Sequence, residues 1–212
     1  MRVQAKICGV STPDALDTAI AGGAAAVGLV FFPPSPRYVS FDAAAMLGAR
    51  VPDHMLKVGV FVDPDDELIE RSVRSAGLGA IQLHRTGAQR IAHLRRLTGL
   101  ETWATVAVRT RADLDQAAGF LGAADRLLFD AKTPDGAALP GGMGLRFDWS
   151  LLDGFRHPLP WALSGGLDAD NVAEAIGRTG APMVDASSSL ESAPGVKSPA
   201  RIAGFLAAVN AL

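Results

Sequence analysis

The chain has 212 residues, of which 49% are hydrophobic and 20% charged, as is typical of a globular domain. Its 20 Lys and Arg residues nearly balance 22 Asp and Glu residues, and a formal net charge of −2 gives no electrostatic footprint for nucleic acid. We expect one domain over residues 1–212, because α/β barrels of this length commonly have a single core.

The single cysteine, Cys8, cannot form an intrachain disulfide, and the first residues lack the pattern of a secretory signal. The longest apolar stretches are shorter than the roughly 18 residues that a membrane span needs. These features predict a cytoplasmic protein without a membrane segment.

Short apolar runs alternate along the chain with segments of helical periodicity. The runs predict eight strands, at 3–8, 25–31, 56–62, 79–84, 102–108, 125–130, 159–165 and 182–187. The intervening segments predict helices at 13–22, 41–50, 65–76, 87–97, 111–119, 168–178 and 199–211, with a short one at 149–153. Helix starts are marked by a capping residue before proline at Thr12-Pro13, Asp63-Pro64 and Ser198-Pro199.

This alternation predicts an α/β fold with parallel strands, because strands buried on both faces read as nearly continuous apolar runs. Eight strand-helix units favour a closed (β/α)8 TIM barrel. A doubly wound open sheet is the alternative, although it usually has fewer strands and no GxGxxG follows the first strand. The Gly- and Pro-rich stretch 131–146 is long for a loop, and long loops of this kind are usually functional or disordered.

In such a barrel the site lies at the carboxyl ends of the strands. Cys8 ends the first run and Asp130 the sixth, so they are a candidate base and acid facing one pocket. Cys8 is equally compatible with an inert buried thiol, and Asp130 with a cap of the next turn. Partial burial would raise the pKa of Asp130 toward the range of a general acid.

Two further candidates bind rather than react. Arg37 lies on a loop stiffened by three prolines, where a guanidinium suits bidentate binding of a carboxylate, although most such arginines are solvated. His84 ends the fourth run and is a candidate substrate contact, with a hydrogen-bonded structural role as the simpler interpretation.

The seventh and eighth runs lead into Gly165-Gly166 and Ser187-Ser188. Barrels often bind phosphate with these two loops, and glycine lets the backbone approach closely while serine adds hydroxyl donors. The four histidines are scattered, without the spacing of a metal site, and no nucleotide-binding loop is present.

Several segments together resemble the phosphoribosylanthranilate isomerase family of tryptophan biosynthesis. They are KICG (6–9), 21–40 ending in SPRYVS, VGVFVD (58–63), QLH (82–84), LLFD (127–130), 141–149 ending in FDW, SGGL (164–167), VDASS (184–188) and PGVK (194–197). The resemblance implies a (β/α)8 barrel that performs an Amadori rearrangement of a phosphosugar without cofactor or metal.

The same resemblance implies roles for the candidates. Cys8 would be the general base, Asp130 the general acid, and Arg37 the group that holds the anthranilate carboxylate. The glycine and serine pairs 165–166 and 187–188 would hold the sugar phosphate. A neighbouring cation such as Lys6 could favour a Cys8 thiolate if β-strand alternation puts both side chains on one side.

The sequence departs from the family pattern at Pro34, Arg85, Met143, Ser189 and Leu190. Met143 removes a hydroxyl and Ser189 removes the conformational freedom of a glycine, which questions the loop details rather than the acid or base.

Two alternatives stay open on the sequence. One is the ProFAR isomerase of histidine biosynthesis, which has an aspartate base on strand one, and the other a non-catalytic phosphosugar-binding barrel. We expect a small-molecule phosphosugar substrate, no nucleic-acid or membrane partner, and a monomer rather than a homodimer.

Overall fold

The computed structural model describes residues 3–134, 136–137, 139 and 141–212. Eight parallel strands pair in sequence order, and β8 pairs with β1 to close the barrel, which confirms the predicted fold. The strands are β1 (Gln4–Cys8), β2 (Ala26–Val30), β3 (Leu56–Val62), β4 (Ala80–His84), β5 (Glu101–Val108), β6 (Arg126–Ala131), β7 (Trp161–Leu163) and β8 (Met183–Ala186).

Helices surround the barrel. They are α1 (Pro13–Ala21), α2 (Phe41–Gly48), α3 (Asp66–Ala76), α4 (Ala88–Thr98), α5 (Val172–Thr179) and α6 (Pro199–Asn210). None of the helices in the described part of the chain has the length and apolar character that crossing a membrane requires.

Two of the three predicted caps are confirmed. The hydroxyls of Thr12 and Ser198 accept the amide N–H groups of Ala15 and Arg201, and proline follows each cap. The prediction at Asp63-Pro64 was wrong, because Asp65 caps α3 instead, accepting the amide N–H of Leu68 at 2.8 Å.

Three elements differ from their predicted form. Residues Arg111–Phe120 form a 3-10 helix rather than an α-helix, and another 3-10 helix spans Trp149–Leu152. The helix after β7 begins at Val172 instead of 168, because the Asp168 carboxylate accepts the amide N–H groups of Asp170 and Asn171 in a turn. Such local side-chain bonds compete with helical hydrogen bonds.

A short antiparallel hairpin follows β8, and periodicity did not predict it. It consists of β9 (Glu191–Ala193) and β10 (Val196–Lys197), after a 3-10 turn at Ser188–Leu190. The hairpin lies at the end of the barrel where the strands finish, so its side chains can reach the site.

The barrel interior is layered. An apolar layer fills its lower part, formed by Ala26, Val58, Ala80, Trp103, Leu128, Ala162 and Met183. Two residues further along each strand, alternation returns the side chain to the interior. Several of these next positions are polar, namely Gln82, Asp130, Ser164 and Asp185, and β1 contributes Lys6 and Cys8. The barrel therefore changes from a packed core to a polar cavity along its axis.

Candidate functional site

One cavity opens at the carboxyl ends of the strands, with an empty volume of about 800 Å³ including its mouth. All eight residues predicted for the site line it: Cys8, Arg37, His84, Asp130, Gly165, Gly166, Ser187 and Ser188. They come from six different strand ends or the loops that follow, and barrel closure brings them together. Their roles stay predictions.

Cys8 is buried at the end of β1. Burial raises the pKa of its thiol, and the ammonium groups of Lys6 and Lys197 oppose that shift. Gly28 on the neighbouring strand leaves the space that the thiol occupies, since a Cβ there would lie 3.0 Å from Cys8 Sγ. A nucleophilic or basic role therefore depends on the cations around the thiol.

A buried ion pair lies beside Cys8. Lys6 Nζ donates to Asp185 Oδ1 at 2.8 Å, and the two side chains are 0% and 4% exposed. Burial alone would lower the pKa of Lys6, but the Asp185 carboxylate and the Cys8 sulfur raise it above its ordinary value. Lys6 is therefore a full cation inside the barrel.

Asp130 is buried at the end of β6. Burial, assisted by the charge of Asp185, raises the pKa of its carboxyl to about 7. The amide N–H of Ala131 donates to Asp130 Oδ1 at 2.9 Å. Gly141 passes directly over the acid, since a Cβ at this residue would lie 2.7 Å from Oδ2. A carboxyl with this pKa can give up a proton near neutral pH.

The raised pKa of Asp130 predicts a pH-dependent stability. The folded state binds this proton more tightly than the unfolded chain, in which the pKa of Asp is about 3.9. The stability that Asp130 contributes is therefore fully present below about pH 3.9 and is lost as the pH rises through about 7. From about pH 5 to about pH 8 the unfolding free energy of wild type should fall by about 3 kcal/mol relative to that of Asp130→Asn, which has no proton to lose at this position. Urea unfolding at both pH values measures this difference.

The matched control is Asp53→Asn, which makes the same change at an exposed carboxyl between α2 and β3. It should follow the wild-type curve at both pH values. Parallel curves for Asp130→Asn and wild type would contradict a raised pKa.

Arg37 is buried, and its guanidinium already binds a carboxylate of this chain. Its Nε and Nη2 donate to the two oxygens of Glu191 at 2.6 and 2.9 Å, and Nη2 also donates to the carbonyl of Gly142 at 2.9 Å. Nη1 takes part in none of the hydrogen bonds among the described residues. A substrate carboxylate would therefore meet Nη1 and not the bidentate edge that the sequence suggested.

Glu191 connects Arg37 to the serine loop. Lys197 Nζ donates to Glu191 Oε1 at 2.7 Å and to the Ser187 carbonyl at 2.9 Å, and the Ser187 hydroxyl donates to the Cys8 carbonyl at 3.1 Å. Arg37 and Lys197 lower the pKa of Glu191 against the effect of its burial. Because the Ser187 hydroxyl donates its hydrogen bond to the Cys8 carbonyl, the backbone amide is the donor that Ser187 has available for a phosphate.

His84 pairs with Gln82, whose Nε2 lies 2.9 Å from His84 Nε2. Burial, with the charges of Lys6 and Arg85, lowers the pKa of His84 to about 4. The imidazole is therefore neutral at physiological pH. Gln82 Oε1 is buried without a hydrogen-bond partner among the described residues, which leaves an acceptor in the cavity wall.

The glycine pair 165–166 has left-handed backbone, with φ values of +96° and +62°. Residues 144–145, in the loop after β6, pack against Gly165 and Gly166, so a side chain at either glycine would be crowded by the backbone of that loop. Two of the residues that depart from the family pattern differ in backbone conformation. Arg85 has a left-handed φ of +53°, whereas Ser189 does not have positive φ. The Ser189 hydroxyl donates to the Leu167 carbonyl instead, and the serine is accommodated.

The sequence did not predict several polar residues in the cavity wall or directly behind it, among them Gln82, Ser164, Asp185, Glu191 and Lys197. Asp185 carried a usable signal, because it is a charged residue within the apolar run PMVDAS, as Lys6 is within VQAKIC, and the two charges are opposite. Such paired charges in buried strands are expected to meet. Lys197 ends the segment PGVK of the family resemblance, whereas Glu191 carried no signal, since periodicity did not predict the hairpin in which it lies.

Residues 5–208 match the family described as N-(5'phosphoribosyl)anthranilate (PRA) isomerase. The chain is 54% identical to the N-(5'-phosphoribosyl)anthranilate isomerase of Rhodospirillum centenum, over the whole of both chains.

Solved structures agree. The phosphoribosyl anthranilate isomerase of Thermotoga maritima superposes with a TM-score of 0.85 at 32% identity, covering 99% of this chain and 100% of that one. A solved complex with reduced 1-(o-carboxyphenylamino)-1-deoxyribulose 5-phosphate gives 0.84 at 30% identity, with the same coverage. The chain belongs to the N-(5'-phosphoribosyl)anthranilate isomerase family.

Proposed function

We propose that this chain converts N-(5′-phosphoribosyl)anthranilate to 1-(o-carboxyphenylamino)-1-deoxyribulose 5-phosphate in tryptophan biosynthesis, as a cytoplasmic, monomeric, single-domain enzyme. The observation that supports the chemistry is a buried thiol and a buried carboxyl of pKa about 7 in one cavity. An Amadori rearrangement needs an acid and a base on neighbouring atoms of one sugar.

Asp130 acts first, as the general acid. It donates its proton to the furanose ring oxygen, the bond from that oxygen to C1′ breaks, and the nitrogen lone pair forms an iminium ion at C1′. The pKa of about 7 leaves a large fraction of the carboxyl protonated near neutral pH.

Cys8 acts second, as the general base. The iminium ion makes the C2′ proton acidic, and the thiolate removes it to give an enolamine. Tautomerisation to the ketone then returns a proton to C1′. Strands β1 and β6 place base and acid at separate parts of the cavity wall, so each can reach a different ring atom.

The substrate is held at its two ends. Arg37 binds the anthranilate carboxylate through Nη1, because Nε and Nη2 already donate to Glu191 and to the Gly142 carbonyl. The backbone of Gly165, Gly166 and Ser187, with the hydroxyl of Ser188, holds the phosphate. His84, being neutral, contacts the substrate without adding charge.

Arg37→Ala is expected to raise KM by about 10- to 100-fold with a smaller effect on kcat, because a hydrogen bond to a charged group contributes uniform binding. Initial rates over a range of substrate concentrations separate the two constants.

Arg50→Ala is the control, since Arg50 pairs with Asp17 on the exposed surface. It should leave KM unchanged. An unchanged KM in Arg37→Ala would place the carboxylate anchor elsewhere in the cavity.

The direct test generates phosphoribosylanthranilate in situ and follows the decrease in anthranilate fluorescence after the protein is added. We expect a large acceleration over the uncatalysed rate. No acceleration would overturn the proposed activity, and turnover of the histidine-pathway substrate alone would replace it with the ProFAR reaction.

A further inference from the structure

The ion pair of Lys6 and Asp185 lies between the proposed base and the proposed acid. Lys6 Nζ bonds to Asp185 Oδ1 at 2.8 Å, and the charge of its ammonium acts on the Cys8 sulfur. Asp185 in turn accepts the Ser164 hydroxyl at 3.4 Å, and its negative charge acts on Asp130. The ion pair is therefore within electrostatic reach of both Cys8 and Asp130.

Strand geometry places Lys6 under the thiol. Residues 6 and 8 of β1 point to the same side, and Gly28 opposite Cys8 has no side chain between them. A Cβ at Gly28 would lie 3.0 Å from Cys8 Sγ and 3.3 Å from Lys6 Cε. The lysine side chain therefore has a clear path to the sulfur within the barrel.

Buried charges act strongly because little water screens them. An ammonium in contact with a thiol favours the thiolate, whereas a carboxylate close to a second carboxyl favours the protonated form of that carboxyl. Lys6 and Asp185 each have the charge that the neighbouring catalytic group needs.

We propose that the Lys6–Asp185 ion pair is an electrostatic positioning device, in which Lys6 favours the thiolate form of Cys8 against the effect of burial and Asp185 favours the protonated form of Asp130. This inference rests on the proposed function and names two residues that would act through Cys8 and Asp130. It explains why a buried charge pair occupies the middle of a barrel whose lower layer is apolar.

Other charged groups also face the two catalytic residues. Lys197 faces Cys8, but its ammonium bonds to Glu191 and to Ser187. Around Asp130 the charges are Asp185 and Lys6, with neutral Ser164 and the Ala131 amide. Lys6 is thus the cation that acts most strongly on the sulfur, and Asp185 the anion that faces the acid.

Because Cys8 is the only cysteine, ultraviolet absorbance of the thiolate reports this residue alone. Lys6→Met should raise the midpoint of its pH titration by about one unit or more, and Asp185→Asn should lower it by a similar amount. Lys57→Met is the control, because Lys57 is the second residue of β3, toward the opposite end of the barrel, and its loss should leave the midpoint unchanged.

Single variants leave one buried charge unpaired and could prevent folding. The double variant Lys6→Met/Asp185→Asn removes both charges of the pair, and its thiolate midpoint should lie above that of wild type because Lys6 acts on the sulfur more strongly than Asp185 does. Carboxyl carbon NMR of Asp130, assigned by its loss in Asp130→Asn, should show a lower titration midpoint in Asp185→Asn than in wild type.

Titration midpoints that are the same in wild type and in the folded variants would overturn the inference and leave the proposed activity intact. Shifted midpoints in a protein that does not accelerate phosphoribosylanthranilate consumption would support the electrostatic device and contradict the activity. The pH dependence of activity gives a further check: the ratio of kcat in Lys6→Met to kcat in wild type should rise with pH, because deprotonation of Asp130 affects both proteins while only the variant still gains thiolate above the wild-type midpoint.

Discussion

Asp130→Asn is expected to lower kcat by about a hundredfold or more, the scale on which a positioned general acid contributes. The amide has nearly the shape of the carboxyl and can fill the same space beneath Gly141, but it cannot give a proton to the ring oxygen. Steady-state rates near neutral pH, where about half of a carboxyl of pKa about 7 is protonated, measure the loss.

KM should change little in this variant, because the binding groups of the site lie on other strand ends. Asp53→Asn serves again as the matched control and should retain wild-type kcat. Turnover of Asp130→Asn within a few fold of wild type would remove Asp130 from the acid role.

Cys8→Ser is expected to cause a loss of similar size, about a hundredfold or more in kcat. The hydroxyl is smaller than the thiol and fits the space beside Gly28, but it ionises far less readily than a thiol, so Lys6 cannot hold it as an anion. The measurement is again kcat, with circular dichroism melting to confirm that the barrel is intact.

Cys8→Ala provides the comparison for this second variant, since it removes the ionisable group altogether. If the thiolate is the base, serine and alanine should be nearly equally impaired. A serine variant with near-native turnover would show that another group removes the C2′ proton.

The fold was predictable to an unusual extent because strands covered on both faces leave a plain pattern of apolar runs. The predicted strand at 56–62 has the observed bounds of β3, whereas the predicted strand 159–165 is reduced to Trp161–Leu163. Leu159 and Pro160 precede the strand, and Ser164 and Gly165 already belong to the loop that follows it. Periodicity does not distinguish a buried strand from the start of a functional loop.

The helices show the same limit. Local spacing predicted a helix at 111–119 but not its 3-10 hydrogen bonding, and it placed the start of the helix after β7 four residues too early. In both cases a local turn, rather than apolar spacing, decides the geometry. Within the predicted loop 131–146, residues 135, 138 and 140 lie outside the described part of the chain.

The sequence by itself determined the order of the eight strands and the placement of Cys8 and Asp130 at strand ends, because alternation and burial are properties of neighbouring residues. Only the tertiary structure decided which charges meet. Lys6 and Asp185 are 179 positions apart and pair because β8 closes on β1, and Glu191 reaches Arg37 because a hairpin folds over the barrel mouth. Buried charges need partners within a few ångströms, and chain closure alone provides those partners.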